Sequence, residues 1–240
     1  MSFKGFFITG TDTEVGKTLI AGALILQLQS SGIKTVGYKP VAAGMREVNG
    51  NLVNEDVQTL LMVSQIIAPH LESSDICPYI LKEAAAPHIV AEQSGLKLDM
   101  DVMIRQYHSL QDSFEAVIVE GAGGFLVPIN EESTLGDFAQ AIQLPVILVV
   151  SIKLGCINHA LLTAEAIARR GLRLEGWVAN CIAADSGFNQ QNIATIDRML
   201  DIQYQARLLG VIPQLNTSIS LSHYSLVDLQ HAAQLIHLHL

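Results

Sequence analysis

Short apolar runs rich in β-branched residues recur along the chain at residues 6–9, 35–38, 116–119, 146–151, 176–179 and 208–212. They are almost free of polar positions, as in Val146-Ile147-Leu148-Val149-Val150. A strand with one wet face would alternate, so these runs predict strands covered on both faces. Between them, residues 17–29, 100–110, 158–170 and 190–200 carry helical patterns, and Gly32 and Gly171 stand where a positive-φ cap would end two of those helices. Strands alternating with helices predict a doubly wound α/β fold, a mostly parallel sheet flanked by helices. There is no repeat, low-complexity stretch or Pro- or Ser-rich linker in the 240 residues. The expectation is therefore one domain over residues 1–240, with 216–240 its least defined part. Residues 44–54, with two glycines and three asparagines, read as a loop over the ligand edge of the sheet.

Composition narrows the classes of function. Fourteen Lys and Arg stand against 23 Asp and Glu, and the formal net charge of -9 disfavours nucleic acid phosphates and anionic membrane surfaces as partners. The longest apolar runs, residues 19–26 and 144–150, fall far short of the ~20 residues that cross a bilayer. Three widely spaced cysteines, Cys77, Cys156 and Cys181, form no C-x-x-C pair, which argues against a disulfide framework or a zinc knuckle. His231, His237 and His239 lack a partner ligand set and are not expected to hold metal. The first residues lack a signal-peptide pattern, so the expected compartment is a reducing cytoplasm.

Chemistry concentrates after the first strand, in Gly10-Thr11-Asp12-Thr13-Glu14-Val15-Gly16-Lys17-Thr18, followed at Leu19 by an apolar helix. Strand, glycine loop and helix are the setting of a phosphate-binding P-loop. Consecutive backbone N–H groups and the helix N-terminus can wrap an anion, Lys17 can reach the β- and γ-phosphates, and the Thr18 hydroxyl can ligate Mg²⁺. Thr11 stands where the usual motif has its first glycine, and Gly10 comes one residue early. Thr13 and Glu14 lie on the loop crest, serving either the γ-phosphate or simple turn chemistry.

Further polar residues end apolar strands, where a parallel sheet collects its ligands. Glu120 closes the run 116–119 and precedes Gly121-Ala122-Gly123-Gly124, whose small residues let a ligand approach the backbone. Lys39 ends the second strand, directly before Pro40, as a strand-end side chain that contributes little packing. Asp56 precedes the apolar pattern Val57, Leu60, Leu61, where it is either a helix N-cap or a metal ligand. Residues 153–158 open a helix, so their N–H groups offer an anion site or are capped by Asn158. Asn180 follows an apolar strand and carries both a donor and an acceptor for a purine edge.

Taken together, GTDTEVGKT (10–18), GYKPV (37–41), VEGAGG (119–124), LPVILVV (144–150), KLGCINHA (153–160) and GWVAN (176–180) resemble the dethiobiotin synthetase family. The blocks are in the family's order and span residues 8 to about 180, with a weaker echo at 209–213. The resemblance implies an ATP- and Mg²⁺-dependent cyclo-ligase of P-loop type. It would convert 7,8-diaminopelargonic acid and CO₂ to dethiobiotin through a carbamate and a carbamic-phosphoric anhydride. Lys39, Lys17 and Thr13 become catalytic, and Thr18, Asp56 and Glu120 become Mg²⁺ ligands. Nucleotide contacts are implied for Glu14, Val15, Gly16, Lys17, Thr18 and Leu19, for Glu120, Gly121, Ala122 and Gly123, and for Asn180, Cys181, Pro213, Gln214 and Leu215. Substrate contacts are implied for Thr13, Lys39 and Ala43, and for Gly155, Cys156, Ile157 and Asn158 of a turn supplied by the neighbouring subunit of a homodimer. The family commonly has Ser where this chain has Ala43, and residues 214–219 lack the acidic residue often found near the ribose. Two other readings share the fold. A ParA- or MinD-like switch ATPase would carry a signature Lys where Asp12 stands, and an amide-forming synthetase of the cobyrinate type would need an added glutaminase domain.

Overall fold

A computed structural model describes residues 4–182, 187–215 and 223–238. In chain order its elements begin with β1 (Gly5–Gly10), α1 (Lys17–Ser30), β2 (Thr35–Tyr38), β3 (Ala42–Ala43), β4 (Arg46–Val48), β5 (Asn51–Val53), α2 (Glu55–Ser64) and α3 (Ser73–Ile76). They continue with β6 (Ile80–Leu81), α4 (Pro87–Gln93), α5 (Met100–Ser113), β7 (Ala116–Gly124), α6 (Leu135–Ile142) and β8 (Val146–Ser151). The chain then forms α7 (Cys156–Arg169), β9 (Leu174–Asn180), α8 (Asn189–Tyr204), β10 (Arg207–Ile212) and α9 (Leu226–Gln234).

All six sequence-predicted strands join one parallel sheet in the order β10-β9-β8-β1-β7-β2. Their continuous apolar runs match what the sheet requires, since β1, β2 and β8 are buried at every position. The first strand lies inside the sheet, flanked by β7 and β8, so the loop that follows it emerges at the middle of the C-terminal edge. Helix α1 leaves that loop and is buried on nearly all sides, because α2 and α9 cover the flanks that the sheet does not. That explains why α1 is apolar all round rather than striped. Gln27 Nε2 donates to the Ile236 carbonyl at 2.7 Å, and an antiparallel bridge joins Ile236 to Gly210. The described part of 216–240 is therefore ordered against α1 and β10, while residues 216–222 and 239–240, including His239, lie outside the described residues.

Two sequence expectations need correction. Residues 44–54 are not simply a loop, since β4 and β5 form an antiparallel hairpin there with Val48 opposite Asn51. The two-residue connection Asn49-Gly50 has positive φ at both positions, 53° and 80°, which is the Asn-Gly turn of tight hairpins. The strand ending at 119 runs on to Gly124, so Glu120 sits within β7, opposite Ile8, and the glycines continue beside β1 with Gly10 opposite Gly124. Among the described residues no helix is long and apolar enough to cross a membrane.

Candidate active site

The loop between β1 and α1 is shaped by two left-handed residues, Glu14 at φ 57° and Gly16 at φ 94°. Gly16 is required twice over, because a Cβ there would also collide with Nδ2 of Asn180. Asn180, buried at the end of β9, donates that Nδ2 to the Val15 carbonyl at 2.9 Å and so holds the loop from below. Its amide nitrogen is thus engaged by the loop. Val15 is buried, Thr13 and Glu14 are exposed on the crest, and the Thr13 hydroxyl faces the Gly123 Cα across the groove. Lys17 folds back on the loop, donating to the Asp12 carbonyl at 2.9 Å.

Below the crest, four charged or hydroxyl side chains from four different segments meet. The Thr18 hydroxyl lies 2.7 Å from Asp56 Oδ1 and 2.8 Å from Glu120 Oε1, and its single proton can serve only one of them at a time. Lys39 Nζ lies 2.6 Å from Asp56 Oδ2, 2.7 Å from Glu120 Oε1 and 3.2 Å from the Gly121 carbonyl. Lys39 is not the lightly packed strand-end side chain expected from sequence. At 1% exposed it is among the largest buried side chains of the molecule. A buried charge of that kind survives only with charged partners, and here it has two.

The sequence left Asp56 between capping and ligation, and the structure places Asn54 as the N-cap of α2, its side chain accepting from the Val57 N–H at 3.2 Å. Asp56 sits in the first turn with its carboxylate free to face Thr18 and Lys39. Asn54 also donates to the carbonyls of Ala43 and Gly44, at 3.3 and 2.8 Å, and so ties the β3 segment to the helix that presents Asp56. Asn54 was readable as a cap, standing just before an apolar helical pattern, although it was not singled out.

Electrostatics differ across the cluster. Burial pushes the Lys17 ammonium down to about 8, with the neighbouring Lys39 adding to the effect against the pull of Glu120, Asp56 and Asp12. Burial also works against charge on Lys39, yet Asp56 and Glu120 outweigh it and hold that ammonium above the ordinary lysine range. Asp56 moves the other way, since Lys39 and the Thr18 hydroxyl overcome burial and keep its carboxyl below the usual range. Glu120 is fully buried and is raised, because desolvation exceeds the help from Lys39 while Asp56 adds repulsion.

The residues present fit a hard divalent cation. Thr18, Asp56 and Glu120 bring three oxygens together, and Glu120 Oε2 is buried without a hydrogen-bond partner. Among the described residues no three His, Cys, Asp or Glu side chains cluster in a way that could hold a metal, so the set is complete only when the Thr18 hydroxyl is counted.

Elsewhere the expected residues separate. Gly155 is the left-handed N-cap of α7 at φ 90° without side-chain help, so Asn158, exposed on the first turn, does not cap the helix, which begins at Cys156 instead of 158. Cys156 is buried and Ile157 half-buried, while Leu154 is fully exposed. Lys153 Nζ approaches Asp12 Oδ2 at 3.6 Å, which places this turn beside the phosphate loop of its own chain. Ala43 is half-buried and pairs with Leu81. The Cys181 N–H donates to the Ile212 carbonyl at 2.9 Å, joining the ends of β9 and β10, with Pro213 and Gln214 exposed and Leu215 half-buried just beyond. Ala122 and Gly123 lie half-buried on the glycine extension of β7. The acidic residue sought near the ribose falls partly on 216–219, outside the described residues. A separate cavity of about 330 Å³, lined by Lys34, His70, Asp75, Gln106 and Phe114 among others, lies at the opposite edge of the sheet, away from every residue named here.

A phosphate loop at the middle of a parallel sheet, backed by two lysines and two carboxylates, defines a P-loop α/β nucleotide-binding domain. Comparison agrees, since a family model described as an AAA domain matches residues 4–220. The ATP-dependent dethiobiotin synthetase BioD of Janthinobacterium sp. (strain Marseille) is 43% identical over 213 residues, 87% of each chain. Solved structures of similar fold include a ParA family ATPase of Chlorobium tepidum (13% identity, TM-score 0.53, 90% of this chain and 86% of that one). The MinC:MinD cell division complex of Aquifex aeolicus is similar as well (13% identity, TM-score 0.52, 96% and 86%). At such identities these two show the fold alone. The chain belongs to the dethiobiotin synthetase family.

Proposed function

We propose that this chain closes the ureido ring of dethiobiotin on 7,8-diaminopelargonate, taking the ring carbon from CO₂ and driving closure with ATP. As a family member it is an ATP-dependent ligase that forms a C–N bond in biotin synthesis. The observation that carries the finer reading is the buried meeting of Lys39 with the carboxylates that also receive the Thr18 hydroxyl, because it joins the phosphate loop and the β2 edge in one site.

In the proposed reaction one amine of the substrate adds to CO₂ and loses a proton, giving a carbamate. A carbamate oxygen then attacks the γ-phosphorus, and the bond to the bridging oxygen breaks to release ADP. The second amine attacks the carbonyl carbon of the mixed anhydride, and phosphate leaves with the former carbamate oxygen as the ring closes. Lys17, folded on the Asp12 carbonyl, has a better acceptor in the β- and γ-phosphates and neutralises charge on the transferring group. Lys39 stands at the edge facing Gly121 and orients the anionic carbamate, while the Thr13 hydroxyl borders the same groove opposite Gly123. Thr18, Asp56 and Glu120 would hold Mg²⁺, which supplies neutralisation of phosphate charge when bound. The open turn at 153–158 supports a homodimer in which N–H groups of a second copy receive the substrate carboxylate. No covalent nucleophile is needed, and Asp12 in place of a signature lysine weighs against a switch ATPase.

The test is phosphate release measured with each component omitted in turn, together with mass detection of dethiobiotin. Release that requires ATP, diamine and bicarbonate together supports the reading. Release that is indifferent to the diamine would overturn it.

A further inference from the structure

Lys39 touches both carboxylates of the proposed cation site. We propose that the Lys39 ammonium is the resident counter-ion of Asp56 and Glu120, and that a divalent cation enters by displacing it rather than by binding beside it. The inference rests on the proposed ligand set Thr18, Asp56 and Glu120, and goes beyond it in assigning what occupies that set before a nucleotide arrives.

The geometry is one of shared oxygens. Glu120 Oε1 lies within 2.7 Å of Lys39 Nζ and 2.8 Å of the Thr18 hydroxyl, and Asp56 gives one oxygen to each, Oδ1 to Thr18 at 2.7 Å and Oδ2 to Lys39 at 2.6 Å. A hard cation bound to these oxygens at about 2.1–2.5 Å would sit within a few ångströms of a buried ammonium. Like charges at that separation in a shielded site repel strongly. Glu120 is wholly buried and Lys39 nearly so, and solvent reaches the cluster only on the side of Asp56, which is about one-third exposed. Without nucleotide the balance of charge is already met, Lys17 and Lys39 against Asp56 and Glu120. Adding two further positive charges would leave the cluster uncompensated.

Lys39 also has an acceptor that a metal bound to the carboxylates would leave to it, the Gly121 carbonyl at 3.2 Å, which opens the glycine stretch of β7. A triphosphate brings negative charge for the released ammonium to meet. The metal is thereby excluded on its own and admitted with its nucleotide.

The experiment titrates Mn²⁺ alone, by electron paramagnetic resonance, into the full chain and into Lys39→Gln, Lys39→Met and the double variant Lys39→Gln/Glu120→Gln. Removing the ammonium is expected to tighten Mn²⁺ binding by roughly tenfold or more, and the double variant is expected to lose that gain. Unchanged affinity in both Lys39 variants, with binding still lost on changing Glu120, would overturn displacement while leaving the ligand set in place. Binding indifferent to both residues would overturn the ligand set and displacement together. A readout on the unaltered chain guards against variants that do not fold. With lysine side chains labelled by ¹⁵N, the buried Lys39 ammonium should give a slowly exchanging signal that persists with Mg²⁺ alone and shifts when Mg²⁺ is added with a non-hydrolysable ATP analogue. A signal unmoved by the Mg²⁺–analogue pair would likewise overturn displacement.

Discussion

The cluster beneath the phosphate loop and the turn that opens α7 are neighbours, linked by the Lys153–Asp12 pair, yet they are built on opposite principles. Beneath the loop, Lys39 and Glu120 are hidden from solvent and their charges are matched inside one chain. At the turn, Leu154 is fully exposed, Gly155 takes a left-handed conformation with nothing near its Cα, and Lys153 and Asp12 are both about half exposed. The first region is finished by its own fold. The second is an exposed surface, the one against which the proposal lays a second copy, and the contrast predicts which changes damage the protein and which would damage only that proposed association.

The largest effect should follow Lys39→Ala. Glu120 would then be buried without its cation beside the partly exposed Asp56, and breaking a buried pair in this way costs about 3–5 kcal/mol. Urea denaturation should register that loss alongside abolished turnover. A variant as stable as the parent would show that the cluster is not self-contained.

Next comes Gly16→Ala, where a methyl group would meet the Asn180 amide and the backbone would keep φ near 94°. Strain of about 1–3 kcal/mol should appear as roughly tenfold or greater loss of nucleotide affinity by calorimetry. A smaller, pH-dependent effect belongs to Lys17. Its ammonium is lowered to about 8 in the empty loop, and a triphosphate would raise it. Binding should therefore take up a proton at pH above about 8, and affinity should fall by up to about tenfold per pH unit there until the raised value is reached. Calorimetry in buffers of different ionisation enthalpy reads the proton directly. The sign for the fold alone is the reverse. Between about 8 and the ordinary lysine value of 10.5 the unfolded chain binds more protons, so the empty protein should gain stability as pH rises.

The smallest change in chain stability is expected for Leu154→Asp, within about 0.5 kcal/mol, since nothing in the chain covers that side chain. Sedimentation should nevertheless show weakened self-association if a second copy supplies the cover. A variant with unaltered assembly and unaltered turnover would remove the turn from the proposed site.

Legibility in the sequence followed the same divide between what local chemistry dictates and what packing decides. The six sheet strands were readable because strands buried on both faces must be continuously apolar, and the phosphate loop because its glycines and lysine have fixed offsets. Helix α6 was missed although both of its cues are local, a reciprocal Thr134–Asp137 capping box and an apolar face at Leu135, Phe138, Ala139 and Ile142. The hairpin at 46–53 was hidden among polar residues despite its Asn-Gly turn. At the site, residue types and strand ends suggested Lys39, Asp56 and Glu120 separately. Their union depends on β2, α2 and β7 arriving together, and the depth of Lys39 is set by that packing, which no local pattern encodes. Asn180 illustrates the same limit, since its hold on the Val15 carbonyl depends on β9 lying under the phosphate loop, which no local pattern encodes.

The contact of α9 with α1 adds a dimension of time. The helix that carries Lys17 and Thr18 is synthesised well before α9, and one of its flanks stays bare until residues some two hundred positions later have arrived to cover it. During translation a ribosome-bound fragment ending before α9 therefore holds this helix with an apolar side open to chaperones.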